Sequence, residues 1–183
     1  MEKPQGYDEA EAKVSGGDFP QPTAGGYVAK IVSAVFGDSK KGNKMLTVGL
    51  DIAEGDFKDH YTKLSEKFDN DAYLKIYQLT DGDHVNYFKG LINAIEHSNN
   101  GYKFNFDETT LIGKKIGVNL REEEYLNKDN VLKTIMKVAY HCSAEEARAG
   151  LAPLPIKQLK GVGAKLPTTT FNQEVPSSDG LPF

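Results

Sequence analysis

The clearest helical pattern in this chain is a single stretch, residues 83–97, and strand-like segments lie on both sides of it. Val85, Phe88, Leu91, Ile92 and Ile95 recur at 3.6-residue spacing and fall on one face. Asp83 reads as the N-cap, and residues 97–101 end the helix on Asn and Gly. Before it, residues 27–36 are rich in β-branched and aromatic side chains and suit a strand. Residues 40–44 (Lys-Lys-Gly-Asn-Lys) read as a hairpin tip. Residues 45–52 return with Leu46, Val48, Leu50 and Ile52 toward a core and Thr47, Gly49 and Asp51 away from it. Residues 72–79 suit a third strand, and also the start of a helix. Residues 53–70 leave the element type open, with 60–64 fitting either a short strand or part of a long loop.

After the helix, Phe104 and Phe106 introduce a loop. Residues 114–121 alternate, with Ile116, Val118 and Leu120 on one face and Lys115, Asn119 and Arg121 on the other. Residues 122–130 read as a polar turn with Asn127–Asn130 at its tip, and residues 131–140 return as the last strand. Ser143 and Glu146 have the spacing of a capping box for one short helical turn. The expected fold is therefore mainly β, a five-stranded OB-fold-like barrel with one helix between strands three and four and flexible termini. Residues 1–24 form an acidic arm, 25–149 the domain, and 150–183 a tail rich in Pro, Gly, Thr and Ser.

Composition removes several functions. The one cysteine, Cys142, allows no intrachain disulfide and points to a reducing compartment. The start of the chain lacks a signal-peptide apolar run, and no window is apolar enough for a membrane span. His60, His84, His97 and His141 form no metal-binding spacing, and His141 beside Cys142 points to the opposite face of a strand. The acids Asp51, Glu54 and Glu122–Glu124 read as parts of solvated turns. No phosphate-cradling loop is present. No catalytic residue, metal or cofactor is expected.

Binding single-stranded DNA asks only for cations along phosphates and aromatic faces under bases. The net charge of −4 does not announce such a role, so the distribution has to carry it. Lys30 lies on the first strand, and Lys40, Lys41 and Lys44 cluster on the first hairpin. Tyr61 and Lys63 follow, and Tyr73, Lys75 and Tyr77 share one face of strand three if it is extended. The last hairpin adds Lys115, Arg121, Lys133 and Lys137. Phe36 and Phe57 stay open between core and groove. The ordinary alternative for each is a solvated lysine or a core ring.

The chain ends in Asp179, Gly180, Leu181, Pro182 and Phe183, an apolar tip with a carboxylate on the last ring. Asp179, Leu181, Pro182 and Phe183 resemble the C-terminal tip of bacterial single-stranded DNA-binding proteins, which recruits replication, recombination and repair enzymes. Ser178 and Gly180 stand where that family carries acids, which implies a weaker grip on a basic partner. Residues 26–31, 40–46 and 111–118 together resemble a family of small bacteriophage proteins thought to bind single-stranded DNA. The resemblance implies non-catalytic binding and protection of single-stranded DNA during phage replication or recombination, in the host cytoplasm. It implies single-stranded DNA and repair-type proteins as partners, with a homo-oligomer open. Two other readings fit the same residues: a structural or adaptor protein binding a phage or host protein, and a metal-dependent nuclease or strand-annealing protein.

Overall fold

The computed structural model describes residues 20–159. Five strands, β1 (Gly25–Asp38), β2 (Lys44–Ile52), β3 (Leu74–Leu79), β4 (Lys115–Leu126) and β5 (Leu132–Cys142), form one antiparallel sheet in the order β3-β2-β1-β4-β5. Three α-helices accompany it: α1 (His60–Phe68), α2 (Val85–Ser98) and α3 (Ala144–Ala149). The mainly β expectation holds, as does the helix between the third and fourth strands. The sheet does not close into a barrel, because β3 and β5 end the order unpaired although their Cα atoms approach within 8 Å.

The alternation in β2 and β4 places Leu46, Val48, Leu50, Ile52, Ile116, Val118 and Leu120 in one core, each at most 1% exposed. Burying one such side chain is worth about 1.5–3 kcal/mol against leaving it in water. The stripe on α2 seats Phe88, Leu91 and Ile95 on that core. Asn99 then ties the end of α2 to the start of β4. Its amide nitrogen donates to the carbonyls of Ile95 and Lys115, and its oxygen accepts from the Lys115 N–H. Phe36 and Phe57, open in the sequence, both pack partly buried on the core.

β1 pairs with β2 over most of its length and with β4 over residues 25–30. A register shift between Ile31 and Ser33 separates the two regimes. Such a bulge bends a strand and sharpens its twist, which is how one strand serves two differently oriented neighbours.

Several sequence expectations change. Residues 60–64 belong to helix α1, not to a strand or loop. Its buried face is only His60 and Tyr61, with Leu64 partly buried, too narrow a stripe to announce a helix. Asp83 is not the N-cap of α2; it lies in a 3₁₀ turn, Gly82–His84, that leads into the helix. Residues 122–126 continue β4, so only residues 127–130 turn. There the Asn127 side-chain oxygen accepts from the Asp129 and Val131 N–H groups. The Ser143–Glu146 capping box forms as expected and starts α3.

Asp51 is the largest departure. Its parity points it away from the main core, as expected, yet it is fully buried. Its carboxylate accepts from the N–H groups of Ile52, Tyr61 and Thr62 and from the Thr62 hydroxyl at 2.6–3.0 Å. A side chain from β2 thus satisfies the first turn of α1, where Asp59 makes no side-chain cap. A second small core, Val28, Ala144 and Ala147 with Leu151 and Cys142, covers the outer face of β1 and β4. Beyond it the chain runs along the free edge of β4. The Lys157 N–H donates to the Glu122 carbonyl, and the Glu124 N–H donates to the Lys157 carbonyl.

Candidate nucleic-acid interface

Between β3 and β5 lies a cleft of about 400 Å³, reached by Tyr61 and Leu64 of α1 and by Gln21. Tyr73, Lys75 and Tyr77 line one wall, and Ile135, Met136 and Lys137 the other. Tyr73 precedes β3 and packs partly against the core, and Tyr77 is 64% exposed. The three side chains that the sequence grouped on one face therefore do meet, with a lysine from a strand sixty residues later. Lys137 stands opposite Arg121 in the β4–β5 register, and Lys133 opposite Tyr125.

Tyr61 enters this cleft differently from the expectation of an accessible ring. It is 6% exposed and packs edge-on against His60. Burial pushes its phenol well above the ordinary value, so it stays neutral. Its hydroxyl is buried and has no hydrogen-bond partner among the described residues.

The cations divide into two kinds. Lys30 pairs with Asp59, Lys44 with Asp38, Lys75 with Asp71 and Lys115 with Glu54. Glu54 also accepts two bonds from Arg148; these, with the Lys115 bond, hold its carboxyl at about 2. A cation already matched by a carboxylate lends less field to a phosphate, so counting lysines in sequence overstates the basic surface. Lys40, Lys41 and Lys133 have no acid within ion-pair distance among the described residues, and the Lys63 ammonium donates to the Lys58 carbonyl.

Around Glu123 the balance reverses. This single carboxylate is paired with Arg121, Lys137 and Lys157, three cations against one acid, beside the cleft. Partial burial opposes its charge, but hydrogen bonds from Arg121 and Lys157 and the nearby Lys137 keep its carboxyl below the ordinary value. Glu122–Glu124 therefore lie in a strand, not in a solvated turn.

Sequence reasoning missed several exposed rings. Phe106 is 77% exposed on a left-handed backbone (φ 65°), at the end of a run of ring contacts through Phe104 and Phe88 to Phe36. A bulky residue at positive φ is strained, so the loop over-determines its position. Tyr125 was hidden because its segment read as a turn; its parity with Lys133 across the hairpin is the signal that only the longer strand reveals. Elsewhere His97, His141 and Cys142 border a second, wider depression, but burial pushes the Cys142 thiol up, away from the reactive thiolate. Among the described residues no three His, Cys, Asp or Glu side chains converge to hold a metal ion, and no helix is long and apolar enough to cross a membrane.

Asp179, Leu181, Pro182 and Phe183 lie outside the described residues, as does the arm before residue 20. No protein-family model matches the chain, and no curated protein matches it.

Proposed function

We propose that the chain binds and protects single-stranded DNA without catalysis, on an incompletely closed OB-type barrel, and that it does so as part of phage replication or recombination in the host cytoplasm. The observation that carries this reading is the β3–β5 cleft, where Tyr73, Lys75 and Tyr77 face Lys137 across a gap open to solvent. Strand-tracking proteins need this mixture: apolar and aromatic walls for bases, with cations placed at the rim for phosphates. Two further features support an OB-type frame. The helix α2 sits between the third and fourth strands, and the β1–β2 and β4–β5 loops, which flank the binding face in such folds, carry Lys40, Lys41 and Lys128. The tip at Asp179–Phe183 would recruit replication, recombination or repair proteins, consistent with its resemblance to the bacterial tip.

The test is anisotropy of a fluorescent oligo-dT of about 35 nucleotides, long enough for several OB-type sites, beside matched duplex and across a salt titration. Preference for the single strand, weakening with salt, is the expected result. Absence of binding at low salt by folded protein sinks the reading. The adaptor alternative has its own support in the apolar end of the β4–β5 hairpin, where Leu126, Val131, Leu132 and Ile135 are exposed. It predicts that Leu132→Ser abolishes partner capture while oligo-dT has no effect. The nuclease alternative predicts DNA cleavage that a chelator stops.

A further inference from the structure

We propose that Arg121, Lys137 and Lys157 form a phosphate seat on the outer face of the β4–β5 hairpin, with Glu123 as its built-in counterion, and that a phosphodiester of the bound strand takes the carboxylate's place. The source of the phosphate rests on the DNA-binding reading above; the anion seat itself does not.

Register sets the face. Arg121 and Glu123 are two residues apart on β4 and share a side, and Lys137 stands opposite Arg121 on β5. All three cations meet at one carboxylate. The Arg121 guanidinium donates at 2.9 Å and the Lys157 ammonium at 3.1 Å to Oε1 of Glu123, and the Lys137 ammonium lies 3.5 Å from Oε2. Three positive charges on one negative leave two unbalanced. In the other ion pairs among the described residues, each acid holds one cation or, for Glu54, two.

The cluster is open on its cationic side. The Glu123 side chain is 14% exposed, against 54% for Lys137 and 57% for Lys157, so an incoming anion meets the ammonium groups first. Each ammonium has three donors, and Glu123 takes one from Lys157. The Nε of Arg121 is buried without a partner among the described residues, so Glu123 does not close the guanidinium fork. A half-exposed ring stands on either side of the cluster. Tyr140, whose hydroxyl accepts from Asn119, lies toward the start of β4, and Tyr125, opposite Lys133, lies toward the tip. Cations between two rings suit a phosphate between two bases better than an acidic peptide. Lys137 also lines the β3–β5 cleft, which makes the two surfaces continuous.

Lys157 comes from beyond residue 149, where the sequence ended the domain. Its segment is fixed to β4 at three places. The Ala152 carbonyl accepts from Asn119, the Lys157 backbone bonds to Glu122 and Glu124, and the Leu159 N–H donates to the Glu124 carboxylate. A lysine on a fixed backbone has less freedom to lose when it grips a phosphate.

The test compares full-length wild type, Glu123→Gln and Lys157→Gln for oligo-dT binding across a salt titration, with thermal melting as the control for folding. Lys157→Gln is expected to weaken binding severalfold and to lower the salt slope by about one. Glu123→Gln is expected to tighten binding severalfold, because the competing charge is gone. Binding that is unchanged or weaker in Glu123→Gln overturns the counterion role, and binding indifferent to Lys157→Gln overturns the seat. Poly-glutamate competing as well as unlabelled oligo-dT overturns it in favour of an acidic peptide. The second arm titrates inorganic phosphate at constant ionic strength and reads amide chemical shifts. Saturable shifts at Arg121, Glu123 and Lys157 are expected in wild type and lost in Lys157→Gln. Such shifts without oligo-dT binding by any of the proteins keep the anion seat and fell the DNA reading. Oligo-dT binding with no response at these residues in either arm keeps the DNA reading and fells the seat.

Discussion

On β4, Ile116, Val118 and Leu120 are buried on one face while Gly117 and Asn119 are buried on the other. On β5, Leu132, Lys133, Thr134 and Ile135, paired with the far half of β4 (Glu123–Leu126), are all exposed. The central strands are covered twice, by the main core within and by α3 with Leu151 without. The edge strands β3 and β5 pair on one side only, and of the two only the last residue of β5, Cys142, reaches the second core. Double covering leaves no room for change, and single covering leaves side chains available for a ligand.

The sharpest way to break this contrast is at Gly117. A Cβ there would lie 2.1 Å from the Ser143 carbonyl oxygen and 2.8 Å from the Cys142 sulfur. Gly117→Ala is expected to cost about 3 kcal/mol or more in urea unfolding, while Ile135→Ala on β5 stays within about 0.5 kcal/mol. Equal losses at both would erase the distinction. Asp51 comes next. Asp51→Ala strands the N–H groups of Tyr61 and Thr62 and is expected to cost about 2–3 kcal/mol, with faster amide exchange across α1 first. A loss confined to β2 would contradict its capping role.

On the edge side, Tyr77→Ala is expected to leave stability alone and weaken oligo-dT binding by about 1–2 kcal/mol, read by anisotropy. Lys40→Gln with Lys41→Gln should weaken binding across all sequences and flatten its salt dependence. Stability loss without a change in binding would move Tyr77 into the structural group.

Acidification separates the regions in a gentler way. Burial holds His60 and His141 below their ordinary value, so the unfolded chain takes up protons first. Stability is therefore full above about pH 6.5 and is lost as pH falls from there through the depressed folded values. Glu54 acts lower, since its stabilisation is complete above the ordinary carboxyl value and is lost as pH falls toward about 2. Melting temperature against pH should show both ranges, and His141→Asn should flatten the upper one. Smallest of all, Glu54→Gln is expected to cost about 0.5 kcal/mol at neutral pH, because the cluster with Lys115 and Arg148 is substantially solvated.

What the sequence made legible were elements that announce themselves locally. Alternation exposed β2 and β4, a wide apolar stripe exposed α2, and Ser143 with Glu146 exposed the start of α3. What stayed hidden depended on distant residues. Helix α1 is short and borrows its cap from Asp51, ten residues earlier on another element. Lys115 looked available, yet Glu54, sixty-one residues away, holds it. Tyr61 looked like a groove residue because nothing local signals that a helix turns its ring inward. The grouping of Tyr73, Lys75 and Tyr77 was legible from parity alone, whereas the arrival of Lys137 opposite them depends on how far the sheet curls.

The bulge in β1 bears on how quickly the molecule assembles. β1 and β2 are joined by a tight turn and zip locally, as do β4 and β5. Joining the two hairpins requires Gly25–Lys30 to find Lys115–Leu120 across the long stretch of chain that holds β2, α1, β3 and α2. Forming that contact costs loop entropy before it returns burial, so β1–β4 docking is expected to limit the folding rate. Val118→Ala should then slow refolding, whereas Val48→Ala, within the local hairpin, should leave the rate of that docking step less affected per unit of stability lost.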